Sequence, residues 1–290
     1  MYVFHLSMPY AAALVLAQVY EGDLRLNVPR SGRGRCRVDF FCRTRRDARA
    51  RLRELKLVLN RQAHSAAGIR RLKPLPAGSW NTIWRKHFSA RRVSGRIVVR
   101  PPWQKFAGGK NDCVIEIEPG MAFGTGLHAT TRSCLEMMDE FSKKFPAVSF
   151  LDAGCGSGIL AVAAARLGFR TVEAFDNDPL AVKTARKNIY VNKVARRVSC
   201  READIENFRP GKSYALVAAN LFANLLVRSA GRFADLLEPG QSSRLLVSGI
   251  LKRQYASVKR VFAACGLREE KRKPRGGWVT AMYKRKEEGA

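Results

Sequence analysis

No C-x-x-C pair occurs in this chain. Its seven cysteines (Cys36, Cys42, Cys113, Cys134, Cys155, Cys200 and Cys265) are scattered and odd in number. A disulfide framework needs an even, patterned set and a zinc site needs closely paired ligands, so the spacing argues against both and fits a reducing compartment. The chain also lacks an apolar run long enough to span a bilayer. Residues 10–19 are apolar, but no basic segment precedes them and no small-x-small cleavage site follows. They read as a buried helix and not as a secretion signal. These absences predict a cytoplasmic protein with no membrane partner. Internal repeats and low-complexity tracts are missing too. Acids are scarce, with 24 Asp plus Glu against 53 Lys plus Arg and a formal net charge of +29. Residues 1–110 hold 24 bases against 5 acids, a balance of +19; residues 111–290 hold 29 against 19, a balance of +10. A field of this size favours polyanions, RNA first among them; the plain alternative is a solvated basic surface.

What is present points to two domains, for which 290 residues suffice. Residues 1–60 predict a small basic α+β unit: a strand at 2–6, a helix at 9–20, strands at 24–28 and 36–42 with a hairpin loop at 31–35, then a helix at 47–59. That order suggests a ferredoxin-like fragment. Residues 61–78, with Ala66-Ala67-Gly68, Pro74 and Pro76, read as a linker. A short helix at 80–88 carries Trp80, Trp84 and Phe88 at four-residue spacing, the pattern of a core stripe. A strand follows at 96–100. Within residues 79–290, from about 113, strands alternate with helices as in a doubly wound parallel sheet. Strands are expected at 114–117, 148–151, 171–175, 198–202, 215–219, 245–248 and 278–284. Helices are expected at 129–141, 159–167, 179–192, 224–237 and 252–265.

The chemistry gathers at strand ends. After the strand at 148–151 comes Asp152-Ala153-Gly154-Cys155-Gly156-Ser157-Gly158. This is the tight G-x-G-x-G turn of S-adenosylmethionine sites, not the G-x-G-x-x-G of dinucleotide sites. Gly154 and Gly156 give the backbone room beside a ligand. Asp152 is placed either to accept from the cofactor amine or to cap the turn. Asp176, about 20 residues on at the next strand end, is placed for ribose hydroxyls. Asp204 follows the strand at 198–202 and would accept from the adenine amine, or is a surface turn acid. Asn220 and Phe222 end a buried strand, similar to the N-P-P-Y ends of amine methyltransferases. An Asn carbonyl can orient an attacking amine by accepting its N–H, which catalyses by positioning without a dedicated base; a strand-end cap is the alternative. Upstream, Glu118 to Thr131 reads E-P-G-M-A-F-G-T-G-L-H-A-T-T. This loop could close over the cofactor with Phe123 against it. Thr131, in the first turn of the next helix, caps that helix or touches the cofactor, and His128 reads as structural.

That loop, with D-A-G-C-G-S-G-I-L-A-V-A-A, F-D-N-D-P-L-A-V, A-N-L-F-A-N-L-L, L-V-S-G-I-L, the segment 80–88 and Trp278-Val279, resembles the PrmA family of ribosomal protein L11 methyltransferases over roughly residues 78–285. The resemblance implies a seven-stranded Rossmann-like methyltransferase domain behind a small recognition domain. It implies S-adenosylmethionine-dependent methylation of lysines, and of the N-terminal amine, of that ribosomal protein. Carried over from the family's pattern, Thr131, Gly154, Asp176 and Asn220 contact the cofactor. Three positions depart from the pattern: Ala129 and Leu225 each replace a proline, and Gly276-Gly277 stand where acids commonly precede the last Trp. The first 60 residues match only in outline and are unusually basic. A monomer is expected, with rRNA contact through that basic front. Competing readings are a relative acting on another protein, such as an electron-transfer flavoprotein, an RNA base-amine methyltransferase, and a non-catalytic ribosome-assembly or RNA-binding factor.

Overall fold

A computed structural model describes residues 2–9, 24–27, 35–42, 46, 49, 68–74, 89–117, 128–145, 148–240 and 242–286. The chain divides into two compact units, residues 1–88 and 89–290. In the first, β1 (Tyr2–Pro9), β2 (Leu24–Asn27), β3 (Arg35–Cys42) and β4 (Gly68–Pro74) form a sheet in the order β2-β3-β1-β4. Every pairing is antiparallel. This is the strand order and direction of the ferredoxin-like class. The fourth strand corrects the expected linker at 61–78. Residues Ile69 to Lys73 lack a period-2 pattern and are bracketed by Gly68 and Pro74, so local sequence reads as punctuation. Pairing with β1 decides their conformation, and an edge position tolerates the terminal proline. The helices expected at 9–20 and 80–88 and the loop at 31–35 lie outside the described residues, as does the helix expected at 47–59 except for Arg49, which is helical.

The second unit is built on a seven-stranded sheet in the order β10-β9-β8-β11-β12-β14-β13. Its strands are β8 (Ser149–Ala153), β9 (Thr171–Asp176), β10 (Val198–Glu202), β11 (Leu216–Asn220), β12 (Arg244–Leu251), β13 (Leu267–Arg275) and β14 (Trp278–Arg285). Neighbours from β10 through β12 are parallel, and β14 runs antiparallel to both β12 and β13. A separate three-stranded sheet holds β5 (Arg91–Arg92), β6 (Ile97–Arg100) and β7 (Cys113–Glu116). One strand expectation is thereby corrected, and one strand is present that was not expected. The strand expected at 114–117 pairs with β6 and stays out of the large sheet. Its place in the count is taken by β13, whose sequence LREEKRKPR carries one apolar residue, Leu267, that is buried. An edge strand needs no alternating apolar face, so its sequence resembles a solvated tail.

Strand parity sorts the core into two layers. Phe150, Leu216, Ala218 and Leu246 face α1 (Ala129–Lys144), α2 (Ile159–Arg166) and α3 (Pro179–Val191). Leu151, Val217, Val247 and Tyr283 face α4 (Ala223–Arg228), α5 (Ala230–Asp235) and α6 (Tyr255–Ala264). The helix expected at 224–237 is broken into α4 and α5 at Ser229, and a 3-10 turn at Lys252–Gln254 replaces the start of the last one. α1 is clamped to β13 by Glu136, which accepts from Lys273 at 2.6 Å and Arg275 at 2.8 Å.

One glycine sets the approach of two strand ends. Gly249 in β12 has φ +82°, and a Cβ there would lie 2.3 Å from the Leu221 carbonyl oxygen. The Leu221 N–H donates to Ser248 O at 3.2 Å, so the two backbones cannot simply separate. Gly249→Ala is expected to cost about 2 kcal/mol or more, from the left-handed backbone and the overlap together. A urea midpoint unchanged from wild type would refute this. No helix among the described residues is long and apolar enough to cross a membrane.

Candidate active site

The order of the large sheet reverses between β8 and β11, and an open α/β sheet leaves a crevice at the carboxyl ends of its strands at such a point. β9, β10 and β11 end there at Asp176, Glu202 and Asn220, while Asp152, near the end of β8, pairs with Ala174 and Ala218 two residues short of Asp176 and Asn220. The glycine turn is tied down from one side by Phe175 O, which accepts from Gly154 N and Cys155 N, both at 2.9 Å. Gly154, Gly156 and Gly158 all have positive φ. A Cβ on Gly154 would meet Leu221 Cδ2 at 2.3 Å, and one on Gly158 would meet Ala185 Cβ at 3.0 Å. These two glycines therefore serve close packing of the turn on the β11 end and on α3. The carboxylate of Asp176 joins turn and strand: Oδ2 accepts from Gly156 N at 2.8 Å and Oδ1 from Asp178 N at 3.0 Å. Each oxygen retains a lone pair for another donor.

Asp152 is 1 % exposed, beneath the turn. Its Oδ2 accepts from Ala161 N at 3.0 Å, so it anchors the first turn of α2. Burial, with the Asp176 charge adding to it, pushes its pKa up to about 7, against the pull of the Ala161 bond. A folded pKa above the unfolded value of about 3.9 means that its stabilising contribution is complete below about pH 4 and is lost as pH rises through about 7. Asp152→Asn is accordingly expected to flatten the fall in melting temperature between pH 5 and 8 and to raise it at pH 8 in the absence of ligand. An unaltered pH profile in the variant would contradict this. Asp204, half-buried, accepts from Glu206 N at 2.9 Å in a local turn next to the Asp176 strand end, where Ala203 N donates to Asp176 O at 3.0 Å. Phe123 lies outside the described residues.

Across the crevice stands the first turn of α1. Asn220 shares parity with Leu216 and Ala218 and so turns to the α1 layer. There its Nδ2 donates to Thr130 Oγ1 at 3.4 Å. Thr130 Oγ1 is 2.7 Å from His128 Nδ1, and the Thr130 N–H also points at that nitrogen, at 3.4 Å. Burial pushes the His128 pKa down to about 4, so the imidazole is neutral at pH 7 with Nδ1 accepting. The Thr130 hydroxyl then donates to His128 and accepts from Asn220. This relay fixes the amide with its NH2 toward α1 and leaves Asn220 Oδ1 buried without a hydrogen-bond partner. Thr131 Oγ1, on a residue 0 % exposed, is likewise without one. Buried oxygens without a partner are costly, and both can accept from the N–H or O–H donors of a ligand. The structure thus gathers Gly156, Asp176 and Asp204 around the end of β9, sets Asn220 against Thr130 at the end of β11, and buries Asp152 beneath the turn; Thr131 lies beside Thr130 in the first turn of α1. Sequence reasoning missed Thr130: adjacent threonines in a first helical turn look equivalent until the phase of α1 shows which hydroxyl meets Asn220.

Among the described residues no group of three or more His, Cys, Asp or Glu could hold a metal ion. The family model described as ribosomal protein L11 methyltransferase (PrmA) matches residues 27–286. The chain is 37% identical over 246 residues to a ribosomal protein L11 methyltransferase of Pelobacter propionicus, covering 82% of this chain and 78% of the relative. It is 33% identical over 237 residues to one of Herpetosiphon aurantiacus, covering 75% and 73%. In fold it is similar to a crystal structure of a ribosomal protein L11 methylase from Lactobacillus delbrueckii subsp. bulgaricus, with a TM-score of 0.62 and 23% identity over 69% of this chain and 99% of that one. A match running through both units and across the whole crevice places this chain in the ribosomal protein L11 methyltransferase (PrmA) family.

Proposed function

We propose that this chain is an S-adenosylmethionine-dependent N-methyltransferase whose acceptors are lysine amines of ribosomal protein L11. Family membership supports the reaction class, the cofactor and the protein substrate. The observation that carries the amine acceptor is Asn220 Oδ1, buried and unpartnered while its amide nitrogen is held by Thr130.

The cofactor, when bound, supplies an electrophilic sulfonium methyl group. The residues of this chain fit it: Asp176 has lone pairs free for a ribose diol, Thr131 Oγ1 has no protein partner, and the glycine turn keeps the crevice wall low. Asn220 accepts one N–H of the incoming amine and so aims its lone pair. Removal from water lowers the acceptor's pKa and favours the neutral, nucleophilic form. Neutral His128 adds no positive charge to oppose a lysine approaching the site. Phe222, part-exposed directly after this strand end, gives an apolar wall for a lysine stem.

The test is transfer of label from the methyl-labelled cofactor to purified ribosomal protein L11, beside rRNA in a parallel reaction. Mass increments of one methyl group on L11 lysines, removed by protease and not by nuclease, are the expected result. Label destroyed by nuclease would replace this reading with base-amine methylation. Tight cofactor binding without label in either would leave an assembly factor.

A further inference from the structure

We infer that the exposed face of α3 and the turn after it form a binding surface for single-stranded RNA, separate from the methyl-transfer crevice. Six bases, Lys183, Arg186, Lys187, Lys193, Arg196 and Arg197, occur between residues 179 and 197 without one acid, and all six are exposed. Lys183 neighbours Arg186 and Lys187 at three- and four-residue spacing, an arrangement of like charges that works against the helix. Arg186 donates to Cys200 O at 2.9 and 3.0 Å and Arg197 to Ala165 O at 3.4 Å. A carbonyl dipole orients a guanidinium without cancelling its charge. The second feature is Tyr190, 78% exposed, seven residues beyond Lys183 and hence on the same stripe, with Leu180 66% exposed at its other end. The rise from Lys183 to Tyr190 is about 10 Å. Cations along a line beside one free aromatic ring match the chemistry of a single strand, with phosphates on the bases and a nucleobase stacked on the ring.

An anionic membrane fits less well. A helix that lies in an interface inserts its apolar face, and here that face is buried: Ala181, Val182, Ala185 and Ile189 pack in the core. The aromatic end of the surface is remote from the crevice: Asp178 caps the start of α3 there, whereas Tyr190 sits at the opposite end of the helix.

The experiment is fluorescence anisotropy of a labelled single-stranded RNA 20-mer with the full chain, titrated at several salt concentrations. Four proteins are compared: wild type, Lys183→Glu with Lys187→Glu, Tyr190→Ala, and a charge-matched control, Lys105→Glu with Lys110→Glu, in an exposed loop elsewhere in the same unit. The α3 pair is expected to lose at least tenfold in affinity and to reduce the slope of log K against log salt by about 1 to 2. Tyr190→Ala is expected to lose about fivefold or more with the slope unchanged, because stacking carries no counterion release. The control pair should change affinity less than twofold. Equal losses in both charge pairs, or wild-type affinity in Tyr190→Ala, would overturn the inference. So would phosphatidylserine vesicles that bind wild type and compete the RNA away while Tyr190→Ala keeps both activities.

Discussion

Asp176→Ala is expected to weaken S-adenosylmethionine binding by about 100-fold or more. The reason is that one carboxylate does two jobs. Its oxygens accept from Gly156 N and Asp178 N, which fixes the glycine turn against the end of β9. In the proposed binding mode its remaining lone pairs accept from the ribose diol. Hydrogen bonds to a charged acceptor contribute roughly 1.5–3 kcal/mol each, so losing a pair of ribose bonds alone accounts for two orders of magnitude. Asp176→Asn keeps the shape and one good acceptor, yet must turn an NH2 toward one of two N–H donors. It should fall between the wild type and the alanine variant. Calorimetry with S-adenosylmethionine and with S-adenosylhomocysteine reads both variants. The uncharged product analogue should suffer nearly as much, since the loss is at the ribose and not at the sulfonium. Wild-type affinity in Asp176→Ala would sink the ribose assignment. A loss confined to the sulfonium form would move Asp176 from a ribose contact to a purely electrostatic one.

How much of this was legible in the sequence depends on whether local pattern or distant pairing decides each element. The parallel strands β8 and β11 are almost wholly buried and β9 keeps Val172, Ala174 and Phe175 in the core, so their positions and the polar residues near their ends follow from local sequence. The glycine turn was equally plain, because each of its three glycines occupies a backbone conformation that other residues avoid. β4 and β13 were not legible. Both are sheet edges rich in Lys and Arg, and each becomes a strand only because β1 or β14 offers it a ladder. The contact of Thr130 with Asn220 was not legible either, for a different reason. Helical phase fixes which hydroxyl faces the sheet, and a one-residue difference in phase is beyond what a capping pattern specifies. Asp152 is a different case. Its place before the glycines is plain in the sequence, but only burial and the Ala161 bond show that it sits beneath the turn.

The second large effect is expected at Asn220, and it should appear in turnover rather than in cofactor affinity. Asn220→Ala removes the acceptor that aims the incoming amine, and misaligned attack of this kind costs about 100-fold in kcat. S-adenosylmethionine affinity should change by less than about tenfold, since the glycine turn and Asp176 remain. Asn220→Asp separates aiming from charge. The carboxylate can still accept an N–H, but it also stabilises a protonated lysine, so the pH–rate profile should shift to higher pH while the rate at neutrality falls. Thr130 isolates the relay. Thr130→Val removes the hydroxyl that holds the Asn220 NH2, leaving the amide free to present either end, and a loss of about tenfold in kcat is expected with little change in KM for the cofactor. Thr130→Ser restores the hydroxyl and should recover most of the rate, which a mere packing role for the threonine methyl would not allow. His128→Asn should behave like a weak version of Thr130→Val, because it removes the ring nitrogen that orients the hydroxyl and not the hydroxyl itself. If Asn220→Ala and Thr130→Val both turned over at the wild-type rate with full cofactor affinity, the amide would be a strand-end structural group. The amine would then have to be aimed by main-chain carbonyls alone.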